Sequence, residues 1–268
     1  MLNFKKKSIM NKYHLIVYIA TSRHYFHFFE GFVESLKNIE GNLGKVNLAV
    51  VTDQNVPEVP YPMETFYAEH LPWPIIALMK FYYINKAIAS FKRKINYDPE
   101  KDHVVVTFVD SKTLFNTFDY DKFYKIDKLT VPPHCLSPNY PTDYVKLQIW
   151  HHNQNTDAGF DEDYTYCNSG FFSGDLEIME KFCQQCHSWV SHDLCNRRLP
   201  AMDDESYLNK WVVTHKDLVH YLPQGEFIDF PPGKTMAEMN AMLLLRDHSD
   251  VEWYRYCVKE GKYVIKDE

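Results

Sequence analysis

The residues best suited to chemistry fall in three short stretches. In the first, an apolar run at 104–109 leads directly into Asp110-Ser111-Lys112, so a buried strand would deliver a carboxylate, a hydroxyl and an ammonium at its end. An acid in that place can meet a ribose or a metal, and a strand-end turn capped by Asp would look the same. In the second, which opens at Tyr166, Asn168-Ser169-Gly170 and Ser173-Gly174-Asp175 flank the pair Phe171-Phe172. Small residues there let a backbone approach a ligand closely, with a helix N-terminus just beyond; a plain turn, strand and turn fits equally. The third is Asp203-Asp204-Glu205-Ser206-Tyr207-Leu208-Asn209-Lys210. Three consecutive carboxylates repel one another, and a helix start would favour them through its macrodipole. Alternatively, a carboxylate pair at a sugar-handling centre stabilises positive charge at an anomeric carbon.

Other motifs are weaker. Asp161-Glu162-Asp163 spells D-x-D, but no apolar strand feeds it, and it reads as a solvated acidic loop. Cys183-Gln184-Gln185-Cys186-His187 matches the C-x-x-C-H of haem attachment, yet it lies inside a helical pattern with no export signal ahead of it. No second cysteine pair and no H-E-x-x-H accompanies it, so no structural zinc site is expected. The nine glycines form neither G-x-G-x-x-G nor G-x-x-x-x-G-K, which excludes the dinucleotide fingerprint and the P-loop.

The elements that must position these stretches alternate. Strand-like apolar runs occur at 15–20, 46–52, 103–109 and 168–172, and helical patterns lie between them. Tyr25, Phe28, Phe29, Phe32, Val33 and Leu36 recur at spacings of three and four, giving one apolar face. A second helical pattern runs through 72–91, a third through 176–190 with Gly174-Asp175 as its N-cap, and a fourth through 204–213. Strands alternating with helices predict an α/β fold with a mostly parallel sheet covered on both faces. No Gly/Ser linker or repeat interrupts the 268 residues, so 1–268 is expected to form a single domain. Ligands of such sheets bind beyond the carboxyl ends of the strands.

Composition narrows the class. With 29 basic and 36 acidic residues the formal charge is −7, which argues against a nucleic-acid partner. Apolar residues at 45% and charged residues at 24% predict a packed core rather than disorder. Aromatics reach 16%, which suits a rigid core or a site stacking on flat ligands. No run of 18 apolar residues exists, so no membrane span is expected. Six cysteines in a chain able to bury a large core need no disulfide framework, and a reduced, cytoplasmic protein is the default.

The three stretches, in their order, resemble glycosyltransferase family 6, the family of the ABO blood-group transferases and α1,3-galactosyltransferase. The resemblance spans roughly residues 14–252. Residues 25–35, YFHFFEGFVES, are similar to the family's Y-x-x-F-L-x-x-F-L-E-T, and Val51-Thr52-Asp53-Gln54 to its F-T-D-Q. Trp73 and Met79-Lys80 stand where the family has a Trp and then M-R-R. Asp110-Ser111-Lys112 takes the place of D-V-D. Residues 168–174 resemble L-G-G-F-F-G-G, residues 204–210 resemble D-E-S-H-L-N-K, and Arg246-Asp247-His248 resembles K-N-H.

This resemblance implies a GT-A type nucleotide-sugar-binding fold, a mixed and mostly parallel sheet flanked by helices. It also implies retaining transfer from a UDP-sugar to the 3-hydroxyl of a galactose-terminated glycan, fucosylated or not. By position, Ile19, Ala20, Thr21 and Tyr25 would hold uracil and ribose. Lys80 stands where an Arg meets the donor, and Arg246 where a Lys meets the diphosphate. Asp204 would hydrogen-bond the donor sugar, and Glu205 would face the anomeric carbon as nucleophile or as stabiliser of an oxocarbenium ion. His134 and Asp229 match acceptor-binding positions, and Met202 replaces the family's Trp. Asn168, Ser169 and Gly170 occupy the donor-selecting stretch, where Gly170 leaves room for an N-acetyl group; UDP-GalNAc is therefore expected over UDP-Gal. Lys112 replaces the second acid of D-x-D, so no Mn²⁺ or other divalent cofactor is expected, and Asp110 becomes free for the ribose. The missing stem and anchor point to a bacterial or phage form. A non-catalytic sugar-binding relative, or a hexosyltransferase using another UDP-sugar, are the competing readings.

Overall fold

The computed structural model describes residues 10–72, 74–134, 153–160, 164–229 and 241–245. The chain runs β1 (Asn11–Ile19), α1 (Ser22–Phe26), α2 (Phe29–Ser35), β2 (Lys45–Thr52), β3 (Met63–Tyr67), α3 (Ile75–Leu78) and α4 (Lys80–Ile95). It continues through β4 (Asp102–Asp110), β5 (Thr113–Phe115), α5 (Tyr120–Phe123), β6 (Leu129–Val131), β7 (Phe171–Asp175), α6 (Leu176–Cys195) and α7 (Asp203–Thr214). β8 (Val219–Tyr221), β9 (Phe227–Asp229) and β10 (Leu243–Leu245) follow.

Seven strands form one mixed sheet in the order β3-β2-β1-β4-β7-β6-β8, and β5-β10-β9 form a small second sheet. β1 pairs in parallel with β2 and β4, β2 with β3, and β6 with β8, while β7 runs antiparallel to both β4 and β6. The mostly parallel α/β architecture expected from the alternation is thus what forms. Side chains alternate across the strands, so one sheet feeds two cores. Leu15, Val17, Val104, Val106 and Phe108 face a layer built by α4, α6 and α7. Ile16, Tyr18, Val105 and Val109 face the opposite layer, with α2, β5 and Met242. The pair Phe171-Phe172 shows the same logic: Phe171 enters the second core, whereas Phe172 stacks on Phe108 at 4.8 Å in the first. The aromatic surplus is therefore mostly core; Phe28, Phe32, Phe81, Phe115, Phe182 and Trp211 are all fully buried.

Three predicted elements need correction. The fourth strand begins at Phe171, not Asn168, because the Asn168 side chain accepts a 2.7 Å hydrogen bond from the Gly170 amide and closes a turn there. The strand instead continues through Ser173, whose hydroxyl is satisfied inside the sheet by Thr107 Oγ1 at 2.7 Å and by the Val106 carbonyl. The periodic stretch at 25–36 is broken between Phe26 and Phe29, and the one at 72–91 is broken at Met79. Asp175 is the N-cap residue of α6, as expected, but its side chain makes no capping bond; its carboxylate holds His103 at 2.8 Å and the Asp127 amide at 2.7 Å. Cys183 and Cys186 are free, fully buried core residues of α6, so the C-x-x-C-H run is packing rather than haem chemistry.

His14 sits fully buried in β1, its Nε2 2.8 Å from Thr107 Oγ1. Burial holds its imidazole down from 6.5 to about 3. An unfolded chain takes up a proton there near 6.5 and the folded one does not. Stability from this group is therefore intact above pH 6.5 and is lost as pH falls toward 3, at up to ~1.4 kcal/mol per pH unit. Urea midpoints at pH 7.5 and pH 5 should differ more for the natural chain than for His14→Gln. Equal differences would remove His14 as the cause.

Candidate active site

The cleft lies beyond the carboxyl ends of β1 and β4 and has a volume of about 690 Å³. In the pairing register Ile19 stands opposite Asp110, so these two strands end level with one another. From β1 the chain passes through Ile19, Ala20 and Thr21 into α1, whose Tyr25 also lines the cleft. The Thr21 hydroxyl lies 2.9 Å from His70 Nδ1, and Ser22, held at a positive φ of 69°, donates its amide to Asp53 Oδ1 at 2.7 Å. The Asp53 of Val51-Thr52-Asp53-Gln54 thus acts as a brace for the turn that carries Thr21 and Tyr25.

At the end of β4, Asp110 Oδ1 accepts from the Ser111 amide at 2.6 Å and from its hydroxyl at 3.2 Å. Tyr18 clamps the same turn by donating to the Ser111 carbonyl at 3.1 Å. Half-buried Lys112 is thereby presented to the cleft, and it forms no ion pair among the described residues. Across from Asp110, whose amide donates to the Gly170 carbonyl at 2.7 Å, lies the turn of Asn168, Ser169 and Gly170. A Cβ on Gly170 would fall 2.9 Å from Asn168 Oδ1 and 3.6 Å from Asp110 Cβ. Any side chain there would push Asn168 out of its turn.

The opposite wall is α3, the start of α4 and the N-terminus of α7. Lys80 is buried, its Nζ 2.6 Å from Asp204 Oδ2, 3.1 Å from the Ser169 carbonyl and 4.7 Å above the Phe108 ring. The helix-start acids are not employed as caps. Met202 is the N-cap residue without a side-chain bond, Asp203 sits at a strained φ of 42°, and Asp204 pairs with Lys80. Glu205 accepts from the Tyr166 hydroxyl at 2.6 Å and from the Ser169 amide at 3.2 Å.

Burial pushes the Glu205 carboxyl up to about 7, against the lowering effect of the Tyr166 bond and together with the raising effect of Asp204. Asp203 rises to about 6, by burial first and by Asp204 second. A carboxylate held near neutrality inside a cleft is the kind of group that acid–base or charge-stabilising chemistry employs. Asn209 seats this helix: its side-chain amide bonds both the amide (2.8 Å) and the carbonyl (3.0 Å) of Cys167, as a strand neighbour would. It also donates to the Glu205 carbonyl at 2.8 Å.

The thirteen predicted site residues with described side chains all line this one cleft, His134 included. Arg246 lies outside the described residues; Asp229 ends β9, and its side chain lies outside them too. Tyr166 opens the second stretch in the sequence, but its task as hydrogen-bond donor to Glu205 was not foreseen, because no spacing rule links residues 39 positions apart. Sequence reasoning missed Phe108, whose only signal was membership of the apolar run.

Asp110 is the one carboxylate of the 110–112 stretch, where a D-x-D would offer a divalent metal two. One oxygen of its carboxylate is taken by Ser111, and the third position supplies an ammonium, which cannot coordinate. Among the described residues, the group of His, Cys, Asp or Glu side chains close enough to share an ion is Asp157, His192 and Asp193, none of which lines the cleft.

A mixed, mostly parallel seven-stranded sheet with flanking helices and a ligand-sized cleft at the strand ends is an α/β fold consistent with the GT-A type. No protein-family model matches the chain. It is 22% identical over 194 residues to the O-antigen biosynthesis glycosyltransferase WbnI of Escherichia coli, a match that covers 72% of this chain and 76% of that protein. No described helix is long and apolar enough to cross a membrane.

Proposed function

We propose that this chain is a glycosyltransferase, and more finely a retaining α1,3-transferase that moves GalNAc, or less readily Gal, from a UDP-sugar to the 3-hydroxyl of a galactose-terminated glycan. The likeness to an O-antigen glycosyltransferase supports the coarse reading. The observation that carries the finer one is Glu205, whose carboxyl is pushed up to about 7, in the same cleft as Asp110 and a Lys112 that has no ion-pair partner among the described residues. In this reading Ile19, Ala20, Thr21 and Tyr25 cradle the nucleoside, and Asp110 meets the ribose. Lys112 faces the diphosphate, and Asp204 orients the donor sugar while Lys80 holds it. Glu205 stabilises positive charge at the anomeric carbon, and His134 lies on the acceptor side with Asp229. Arg246 would add a second cation at the diphosphate.

In this reading donor choice rests on Gly170, where a Cβ would meet Asn168 Oδ1 at 2.9 Å and so displace the Asn168 side chain that borders the cleft. Incubation with UDP-GalNAc, UDP-Gal and UDP-Glc, with and without a fucosylated galactose acceptor, tests the proposal. Transfer from UDP-GalNAc should be fastest, and Gly170→Ala should move preference toward UDP-Gal. Transfer from UDP-Glc alone would overturn the finer reading, and donor binding without transfer to any acceptor would overturn catalysis.

The reaction proceeds without a divalent cofactor in this proposal, since Lys112 stands as a fixed counter-charge for the leaving diphosphate, as a point charge meets phosphate elsewhere. Activity should persist in excess EDTA. Lys112→Ala should lower kcat/KM roughly 10- to 100-fold, because a bond to a charged group contributes about 1.5–3 kcal/mol, while the melting temperature stays unchanged. Activity abolished by EDTA and restored by Mn²⁺ would reverse the assignment.

A further inference from the structure

Away from the cleft, the last turn of α6 meets the turn at 153–160. We propose that Asp157, His192 and Asp193 form a binding site for a first-row divalent cation of the zinc class. One ligand atom from each lies within 4.8 Å of the other two, and His192 Nδ1 is 2.9 Å from Asp157 Oδ2. Tetrahedral zinc with donors at about 2.0–2.2 Å holds them roughly 3.4 Å apart, so small side-chain adjustments close the set.

The second observation is independent of that clustering. Asp193 is fully buried, and its Oδ2 accepts from the Asp157 amide at 2.7 Å and the Tyr207 hydroxyl at 2.8 Å. Its Oδ1 is buried with no hydrogen-bond partner. A buried carboxylate oxygen left unpaired is costly, and among the described residues no lysine or arginine pairs with Asp193 or Asp157, while His192 faces Asp157. A cation seated among the three supplies the missing charge. Two carboxylates with an imidazole favour zinc and its first-row neighbours over magnesium or calcium, which take oxygen ligands throughout. Exposed His192 leaves one side open to water. Because Tyr207 lies on α7 two residues beyond Glu205, the bound ion would also brace the helix that carries the cleft acids.

Titration of the apo chain with ZnCl₂ and, separately, CoCl₂ tests this by calorimetry, thermal melting and the visible spectrum of the cobalt form. One equivalent should bind saturably and raise the melting temperature, with cobalt bands of a four- or five-coordinate nitrogen–oxygen site. His192→Ala and Asp157→Asn should each weaken binding at least about 10- to 100-fold, since even groups behind the ligands carry that much. Asp193→Asn is left aside because that side chain also anchors the fold. EDTA should lower the melting temperature of the loaded chain without lowering its transfer rate well below that temperature, so this site stands or falls apart from the cleft. Absence of saturable binding, affinity unchanged in both variants, or binding lost only with Cys195→Ser would overturn the proposal.

Discussion

Glu205→Gln should cut turnover roughly 100- to 1000-fold, the cost of about 2.7–4 kcal/mol typical when a well-placed charge-stabilising group is lost. The amide keeps the shape, and its single oxygen can accept from either the Tyr166 hydroxyl or the Ser169 amide, while the Asn209 bond to the residue 205 carbonyl keeps the helix start seated. UDP-sugar affinity, measured by calorimetry, should survive. The natural enzyme adds a pH signature. With the carboxyl at about 7, the charged form dominates above neutrality and is lost as pH falls through 7, so kcat should decline on that acid limb. Removing the Tyr166 bond takes away an interaction that favours the charged form, and Tyr166→Phe should move the midpoint upward. A Gln variant with full activity would leave Glu205 as a helix-start acid only.

Lys80→Met should destabilise the fold by about 3–5 kcal/mol, the usual outcome when one partner of a buried ion pair is removed and the other charge stays behind. Both side chains are almost fully enclosed, at 10% and 5% exposure, with Nζ and Oδ2 2.6 Å apart. The methionine also abandons the Ser169 carbonyl, which loses its 3.1 Å donor. A shift in the urea midpoint at unchanged slope measures the effect. Adding Asp204→Asn in the same chain should recover much of the loss, because the orphaned charge is then gone. If Lys80 were instead a cation reserved for the donor, the single variant would raise KM and leave the urea midpoint nearly in place.

The cleft residues were readable in the sequence only as short words, and the physics behind each word differs. Asp110-Ser111-Lys112 stood out because an uninterrupted apolar run must end before polar residues begin, and that end is where the cleft opens. Asn209 in the 204–210 stretch was visible as part of a resemblance, but its task emerged only when both ends of its amide met the Cys167 backbone. The strand starts at Phe171 rather than Asn168, since the side-chain bond from Asn168 to the Gly170 amide closes a turn over 168–170 that the apolar pattern alone does not reveal. The Asp157, His192 and Asp193 cluster carried no motif at all.

What the sequence determined by itself was the sheet's central strands, the long helix starting at 176, read there as far as 190 and running to 195, and the polar stretches that follow strand ends. Continuous Val, Ile and Leu runs can be satisfied only by burial on both faces, and helical spacing only by one apolar side, so neighbours in the chain suffice to specify them. Tertiary structure alone decided that Tyr166 holds Glu205, that Lys80 is committed to Asp204, and that Lys112 is left without an ion-pair partner among the described residues. Those facts depend on groups up to 124 residues apart meeting at distances where burial and Coulomb terms act, and such terms have no counterpart in local spacing.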